Sequence, residues 1–399
     1  MDAFDLNLRH LRALAAALAH GNLSRAAEEV GISQPALTQG LGKLERQLGA
    51  SLFDRRPDGV AATDAGIALA QRADRAFQFL GSAARRQGRG TRGFARPERL
   101  MTATQLRAWL HFCDAQSFAA AAAASGLSQP AIHRAVRDLE QICATPLAER
   151  RGRGMALTTA GRALARAVRL AEREIAAGIV EVRGDDREIG RISIGAMPLS
   201  RALVLPHAIA AYLRAAPTMI VDVVEGSWRE LVEPLADGVI DLTIGALRDD
   251  PPPGLDQEAL FTDRLAIFAR AGHPLVGSAI TMDVLAAQQW VVGPAGTPLQ
   301  SHWEALFAGR SLPAVPVECG SVMVIRGLLT QSDLLTLLSP DQVALEVQSG
   351  VLAQIGPPVL PAVRTIGITT RSGWRPTPGQ RTVIDHIRAA ARITRLQEN

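Results

Sequence analysis

Gln34, Thr38, Gln39 and Lys43 stand at helical spacing, and so do Gln129, His133, Arg134 and Arg137. Side chains of these types carry the donors and acceptors that read base edges in a DNA major groove: a primary amide pairs with adenine, a guanidinium with guanine. Further along, Arg55 and Arg56 in Asp-Arg-Arg-Pro-Asp-Gly, and Arg150, Arg151 and Arg153 in Glu-Arg-Arg-Gly-Arg-Gly, fall in turns between short strand-like runs. Cations placed there can reach phosphate. A polar stripe alone is better explained as the solvated face of a helix. The elements around these residues decide between the two.

Those elements occur twice. Leu23 to Gly66 returns without a gap as Phe118 to Gly161, with one offset throughout: 129 − 34 = 161 − 66 = 95. The spacing is too long for a solenoid repeat and marks a duplicated module. In the first copy Ala26, Ala27 and Val30 form a short apolar face, Gly31 ends it, Ser33 can cap the next helix and Pro35 lies in its first turn. Leu37, Leu41, Leu44 and Leu48 then recur at helical spacing toward a core. Ser128 and Pro130 repeat the same start in the second copy. Helix, tight turn, second helix and basic wing together point to DNA.

S-Q-P-A-L-x-x-x-[LIV]-x-x-L-E, then L-F-x-R and T-x-A-G, resembles the winged helix-turn-helix of the LysR-type transcriptional regulators, and both copies follow the pattern, the second with Ile132 for its first Leu and Ala148 for its Phe. The doubling departs from the family, whose members ordinarily carry one module per chain. So do Gly40 and Gly42, which interrupt the second helix of the first copy at roughly 1 kcal/mol each relative to Ala. Weaker DNA reading by that copy is the expectation.

With 399 residues, 47% hydrophobic and 21% charged, the chain has length for two to four domains with real cores. No apolar run is long enough for a membrane span, and Met-Asp-Ala-Phe-Asp lacks the basic start of a signal peptide, so a cytoplasmic location is expected. The net charge of +4 is uneven: residues 1–187 hold 27 Lys and Arg against 19 Asp and Glu, or +8, which leaves −4 for the remainder. The repeats are the basic half, as nucleic-acid partners require. Cys113, Cys143 and Cys319 form no CxxC and have no histidines at metal spacing, so they read as core residues and no metal or cofactor is expected.

The first module and its helix through Leu80 occupy residues 1–86, a Gly/Arg-rich linker 87–101, and the second module with its own long helix 102–187. Gly88 to Gly93 spells a literal GxGxxG, but a helix precedes it where a dinucleotide site needs a strand. It belongs to a flexible stretch, Gly81 to Arg99, long enough to bridge half-sites on DNA. In the family that the motifs resemble, the long helix is the dimer contact. Two readings follow: the two helices pair within one chain as a built-in pseudo-dimer, or each pairs with another subunit in a dimer or tetramer.

From residue 188 to 399 short β-branched runs alternate with helical patterns, which predicts βαβ units, a parallel sheet and two subdomains around a cleft. This half resembles the effector domain of the same regulators, similar to type 2 periplasmic binding proteins. Gly195 to Arg201, Leu242 to Arg248, Gly272 to Leu275 and Glu318 to Arg326 look most like the branch containing the galactose-binding-protein regulators. Ligands of open α/β sheets bind at the carboxyl ends of strands and on helix N-termini. That rule selects Pro198, Leu199, Ser200, Arg201, Ser227, Trp228, Gly245, Ala246, Leu247, Arg248, Thr297, Pro298, Ser321, Val322 and Met323. The serines and threonine are also ordinary helix caps. Arg201 and Arg248 can bind a carboxylate or pair with nearby acids, and Trp228 can stack on a sugar face, whereas Trp290 and Trp303 read as core.

The fold class expected is therefore multidomain: two winged helix-turn-helix modules with long linker helices, then an α/β two-subdomain domain. The function expected is a regulator of transcription that binds double-stranded DNA and answers to a small-molecule effector, a sugar or small organic acid, with RNA polymerase as a further partner. The alternative is a cytoplasmic ligand-binding protein or an enzyme using the cleft, with degenerate DNA-binding modules. No Walker loop, GxSxG elbow or HExxH supports the enzyme.

Overall fold

Capping side chains and glycines at the ends of apolar runs set the helix boundaries of the N-terminal half. Asn7, Asn22 and Ser33 accept hydrogen bonds from the backbone N–H groups of Arg9, Ser24 and Ala36, and so start α1 (Leu8–His20), α2 (Leu23–Val30) and α3 (Gln34–Leu48). Gly31, at φ +70°, makes the turn between α2 and α3 in the left-handed region. A hairpin of β1 (Phe53–Arg56) and β2 (Gly59–Ala62) leads to the long helix α4 (Asp64–Gln87). After a 3-10 turn at Pro97–Arg99 the order repeats: α5 (Ala103–Ala115), α6 (Phe118–Ser125), α7 (Gln129–Cys143), β3 (Ala148–Arg151), β4 (Gly154–Leu157) and α8 (Thr159–Arg183). Leu37, Leu41, Leu44 and Leu48 of α3 join Ile132, Val136, Leu139 and Ile142 of α7 in one apolar core.

The computed structural model describes residues 1–56, 59–87, 94–152, 154–183, 190–200, 202, 204–215, 219–359 and 362–397, without the side chains of 55, 56, 59, 85–87 and 393–397. The chain divides into two compact units, one comprising residues 1–190, 236–239 and 375–378, the other the rest. The long helix of the first copy does not stop at Leu80. It continues to Gln87, because Ser82 to Gln87 carries no helix breaker, and the stretch Gly81 to Arg99 is to that extent helical rather than flexible. Gly88 to Gly93 lies outside the described residues.

In the second unit β5 (Gly190–Ala196), β6 (Met219–Glu225), β7 (Leu242–Ala246) and β8 (Leu255–Arg264) come first, with α9 (Val204–Arg214) and α10 (Trp228–Ala236) between them. There follow β9 (Ala266–Arg270), α11 (Met282–Ala286), β10 (Gln289–Val292), α12 (Pro298–Leu306), β11 (Ala314–Glu318), α13 (Val322–Gln331) and β12 (Thr336–Leu338). The chain closes with α14 (Ala344–Gln348), β13 (Leu352–Ile355), β14 (Val363–Arg371) and α15 (Pro378–Gln397).

One sheet has the order β6-β5-β7-β14-β8 and another β12-β9-β13, with β10 and β11 paired beside the second. Each sheet has its own apolar core, the first around Ile194, Ile244, Phe261 and Ile368, the second around Ile267, Trp290, Trp303 and Leu337. The expected parallel sheet is mixed instead. β5 runs parallel to β7 and β10 to β11, but β14 is antiparallel to both β7 and β8, and β9 is antiparallel to β12 and β13. The antiparallel partner β8 escaped the sequence pattern because the polar Gln257 and Asp263 occupy its inward-facing positions.

Candidate nucleic-acid interface and effector site

Ser33 and Ser128 cap α3 and α7, accepting from Ala36 N at 3.4 Å and Ala131 N at 3.3 Å, with Pro35 and Pro130 in the first turns. Ser33, Gln34, Pro35, Thr38, Gln39 and Lys43 are all exposed on α3. So are Ser128, Gln129, Pro130, Arg134 and Arg137 on α7. His133 differs: it is half-buried and stacked on Phe118, with ring centroids 4.3 Å apart. The Thr38 hydroxyl donates to its own helix at Gln34 O, 3.0 Å away, which leaves its methyl and its oxygen lone pairs to meet a base.

The expected interruption of the first copy's second helix does not occur. α3 and α7 each run unbroken for 15 residues. Gly40 is buried against α1, where an added Cβ would come within 2.8 Å of His10 Cδ2. Its lost helix propensity is exchanged for that close approach. His10 itself is held neutral more readily, since burial and then Lys43 and Arg9 push its pKa down, and its Nδ1 is buried without a partner.

Each motif letter behind these helices has a bond that accounts for it. Glu45 and Glu140 take the N–H groups that open the hairpins, Leu52 at 2.8 Å and Leu147 at 2.9 Å. Thr63 and Thr158 donate their hydroxyls to Ser51 O and Pro146 O, both at 2.8 Å, and accept from Gly66 N and Gly161 N at 3.0 Å. At both glycines a Cβ would collide with a carbonyl, Leu52 O at 2.1 Å or Leu147 O at 2.0 Å. The hairpins are thereby fixed to the helices beside them. Arg150 and Arg151 are exposed on β3; Arg55 and Arg56 lie in β1 with side chains not described, and Arg153 lies outside the described residues.

Sequence reasoning passed over Ser24, Arg25 and Arg162. Ser24 Oγ donates to Gln34 Oε1 at 3.1 Å and so aims that amide, while Arg25 is exposed beside it on α2. Arg162 folds over the base of the second hairpin, bonding Leu157 O at 2.8 Å. Ser24 meets Gln34 only through the fold, whereas Arg162 directly follows Gly161 in the sequence.

The long helices α4 and α8 pack against each other, and since Leu69 and Arg72 approach Gly178 while Arg75 reaches Glu174, they run antiparallel. Arg72, 2% exposed, donates to Glu174 at 2.9 Å and to Glu181 at 3.0 Å. Burial alone would lower its pKa, but these carboxylates outweigh burial and hold it raised. At either end the exchange is reciprocal. Arg12 of the first copy donates to Arg99 O at 2.6 Å, and Arg107, 95 residues later (107 − 12), donates to Asp5 at 2.7 Å. The two acceptors lie in corresponding 3-10 turns, Pro97–Arg99 and Ala3–Asp5, one position out of register (99 − 95 = 4), so the relation between the copies is an approximate two-fold.

In the second unit the segment after β5 packs on the end of β7. Ser200 is fully buried, with its hydroxyl 2.8 Å from Met197 O and 3.1 Å from Ile244 O, so it braces the two strands and offers nothing to a ligand. Leu199 is buried too, and a Cβ on Gly245 would strike Met197. These expected contacts are structural. Pro198 is half-buried and Arg201 lies outside the described residues. Ser227 spends both its N–H and its hydroxyl on Glu230, at 2.7 and 2.8 Å, and those bonds lower the Glu230 pKa.

Thr297 and Ser321 cap α12 and α13, Pro298 and Val322 follow them half-buried, and Met323 is 77% exposed. Ala246 and Leu247 are half-buried. Arg248 is clamped by Gln257, which accepts from its N at 2.9 Å and donates to its O at 2.7 Å. Its guanidinium lies over Trp228, 5.5 Å from the ring centroid, and its Nε is buried without a partner. Burial and then Arg229 lower its pKa. Arg229 was not foreseen, and a Cβ on Gly296 would come within 2.9 Å of its Nη2. Two cations, an indole and the start of α12 thus converge. Trp290 and Trp303 are core residues in edge-to-face contact.

A paired-helix surface of amides and guanidinium groups beside a two-sheet α/β unit defines a class: DNA-binding regulators that carry a ligand-binding domain. The description "LysR substrate binding domain" matches residues 185–392, and "Bacterial regulatory helix-turn-helix protein, lysR family" matches residues 8–67 and 103–162. The chain is 33% identical over 379 residues to the HTH-type transcriptional regulator GalR of Pseudomonas putida, covering 93% of this chain and 94% of that one. It is 30% identical over 234 residues to GbpR of Rhizobium radiobacter, 56% of this chain and 76% of that one. In fold it is similar to a full-length OxyR variant from Pseudomonas aeruginosa, with a TM-score of 0.58, 22% identity and coverage of 73% of this chain and 95% of that one. ArgP from Mycobacterium tuberculosis gives a TM-score of 0.59 at 18% identity, over 72% of this chain and 96% of that one. The chain belongs to the LysR family of transcriptional regulators. It is a DNA-binding regulator of transcription with an effector-binding domain, and its relatives are regulators rather than enzymes. No helix among the described residues is long and apolar enough to cross a membrane.

Proposed function

We propose that both N-terminal repeats are DNA-binding modules and that they work as a pair within one chain. The exposed residues of α3 and α7 enter successive major grooves, and Arg150, Arg151 and their first-copy counterparts Arg55 and Arg56 hold phosphate. The domains are those read from the sequence, 1–86, 87–101, 102–187 and 188–399. The observation that carries the pairing is the one-sidedness of the buried ion cluster. The α8 counterpart of Arg72 is Ala167 (72 + 95), and the α4 counterparts of Glu174 and Glu181 are Phe79 and Arg86. Two α4 helices packed the same way would set Arg72 against Arg86, and two α8 helices would bury acids with no cation. Only α4 with α8 satisfies every charge. Solved relatives also match over 95% of their own length yet only 73% of this chain, as a chain with one extra module would.

A footprint upstream of the chain's own gene, with the mass of the complex recorded, tests this. One chain is expected to cover two half-sites about 34 Å apart. Single half-sites per chain, joined only when a second chain binds, would sink the pairing.

In the effector domain the Arg248 guanidinium over Trp228, whose Nε has no partner among the described residues, together with the neighbouring Arg229, favours a small organic acid over a sugar. Arg248→Ala is expected to abolish the response to a carboxylate effector while DNA affinity stays unchanged; an unaltered response places the ligand elsewhere. The organic-acid reading concerns this chain alone, whatever ligands the GbpR-like branch takes. Assembly beyond one chain and contact with RNA polymerase complete the reading.

A further inference from the structure

The two modules share a skeleton but present different chemistry. Gln34 and Gln39 stand on α3 with Lys43, where α7 carries Gln129, Arg134 and Asp138 at the same positions, and Gly42 is matched by Arg137. Arg134 and Arg137 are exposed and bond to no other described residue. The Gln34 amide is aimed by Ser24, a brace the second copy lacks, because Ala119 stands in that place. Phosphate-facing groups differ as well. The first copy offers Ser24 and Arg25 at the start of α2, whereas α6 is Phe-Ala-Ala-Ala-Ala-Ala-Ala-Ser. The second copy instead offers Arg162 at the hairpin base, where the first has Ile67.

A homodimer must present two identical faces and therefore reads a palindrome. We infer that this chain reads an oriented, non-palindromic operator: an adenine-centred half-site under α3, through the amides of Gln34 and Gln39, and a guanine-centred half-site under α7, through Arg134 and Arg137. Gln pairs bidentately with adenine N6 and N7, and Arg with guanine O6 and N7. Arg134 and Arg137 are one helical turn apart and can address neighbouring guanines. This inference rests on the proposal that both modules bind DNA. The α4–α8 ion cluster makes it sharper, since that cluster keeps unlike modules together and excludes like pairs.

The test is selection of bound sequences from random double-stranded DNA with the full-length chain. The result expected is a composite of two unlike half-sites, one enriched in adenine contacts and the other in guanine. A palindromic composite overturns the inference and leaves the two-module reading standing. A single half-site overturns both, as does no enrichment at low salt. On the selected operator, replacing the guanine half-site by an inverted copy of the adenine half-site is expected to weaken binding by at least about tenfold. Because that probe needs no variant, it is immune to misfolding. The reciprocal exchange, Gln39→Arg with Arg134→Gln, alters only exposed positions and is expected to move guanine preference to the α3 half-site; an unchanged composite would refute the residue assignment.

Discussion

The first and second modules of the N-terminal unit keep the same bonds at the base of their hairpins but differ at several exposed positions of α3 and α7. Glu45 and Glu140 bind the hairpin N–H groups at 2.8 and 2.9 Å, and Gly66 and Gly161 leave the same gap for a carbonyl. Between those fixed points Gln39 becomes Arg134, Gly42 becomes Arg137 and Lys43 becomes Asp138. The buried Arg72 cluster has no counterpart across the pseudo-two-fold. A skeleton held by local bonds tolerates divergence of its face and of its seam. Once two modules share one chain, they no longer need to be alike.

Several substitutions would break or sharpen that contrast. Arg72→Ala takes Arg72 from Glu181 and leaves Glu174 with Arg75 alone at the seam, and is expected to cost about 3–5 kcal/mol, seen in chemical denaturation of the N-terminal transition. A loss below 1 kcal/mol would mean that water already screens the cluster. Gly66→Ala and Gly161→Ala drive a methyl into a carbonyl in each copy and should each cost about 1–3 kcal/mol or more. Unequal costs would show that the two skeletons are not equivalent.

Arg134→Ala should lose about 1–3 kcal/mol on the specific operator and little on random DNA, while Arg151→Ala should weaken both evenly and reduce the salt slope by about 1. Equal losses on both DNAs for Arg134→Ala would remove it from base readout. The smallest effect concerns backbone strain. Gln116 and Ala144 adopt φ of +47° and +50° where the first copy has Gly21 and Gly49. Replacing either by Gly should stabilise the second module by about 0.5–1 kcal/mol, visible as a higher melting temperature. No gain at either site would mean that the left-handed turns carry no strain.

The N-terminal half was largely legible because its contacts are local. Caps, turn glycines and apolar spacing lie within a few residues of one another, so the positions of Ser33, Gln34, Ser128 and Arg134 followed from pattern alone. Misreadings arose where distance in sequence mattered. Gly40 looked like a defect until His10, thirty residues earlier, filled the space beside it. The effector half was less legible for the same reason. Ser200 has the residue type of a ligand contact, yet its hydroxyl serves Ile244 O on a strand 44 residues away. Arg229 became a candidate only when folding brought it to Gly296 and Arg248.

Sequence by itself determined the repeated pattern, the order of helix, turn, helix and hairpin, and the types of side chain exposed on α3 and α7, since each depends on short-range periodicity and capping. Tertiary structure alone decided that α4 packs on α8, that β14 and β8 make the first sheet mixed, and that Arg248 lies over Trp228. Those outcomes depend on which buried charges and strand edges find partners across long loops, and no local rule carries that information.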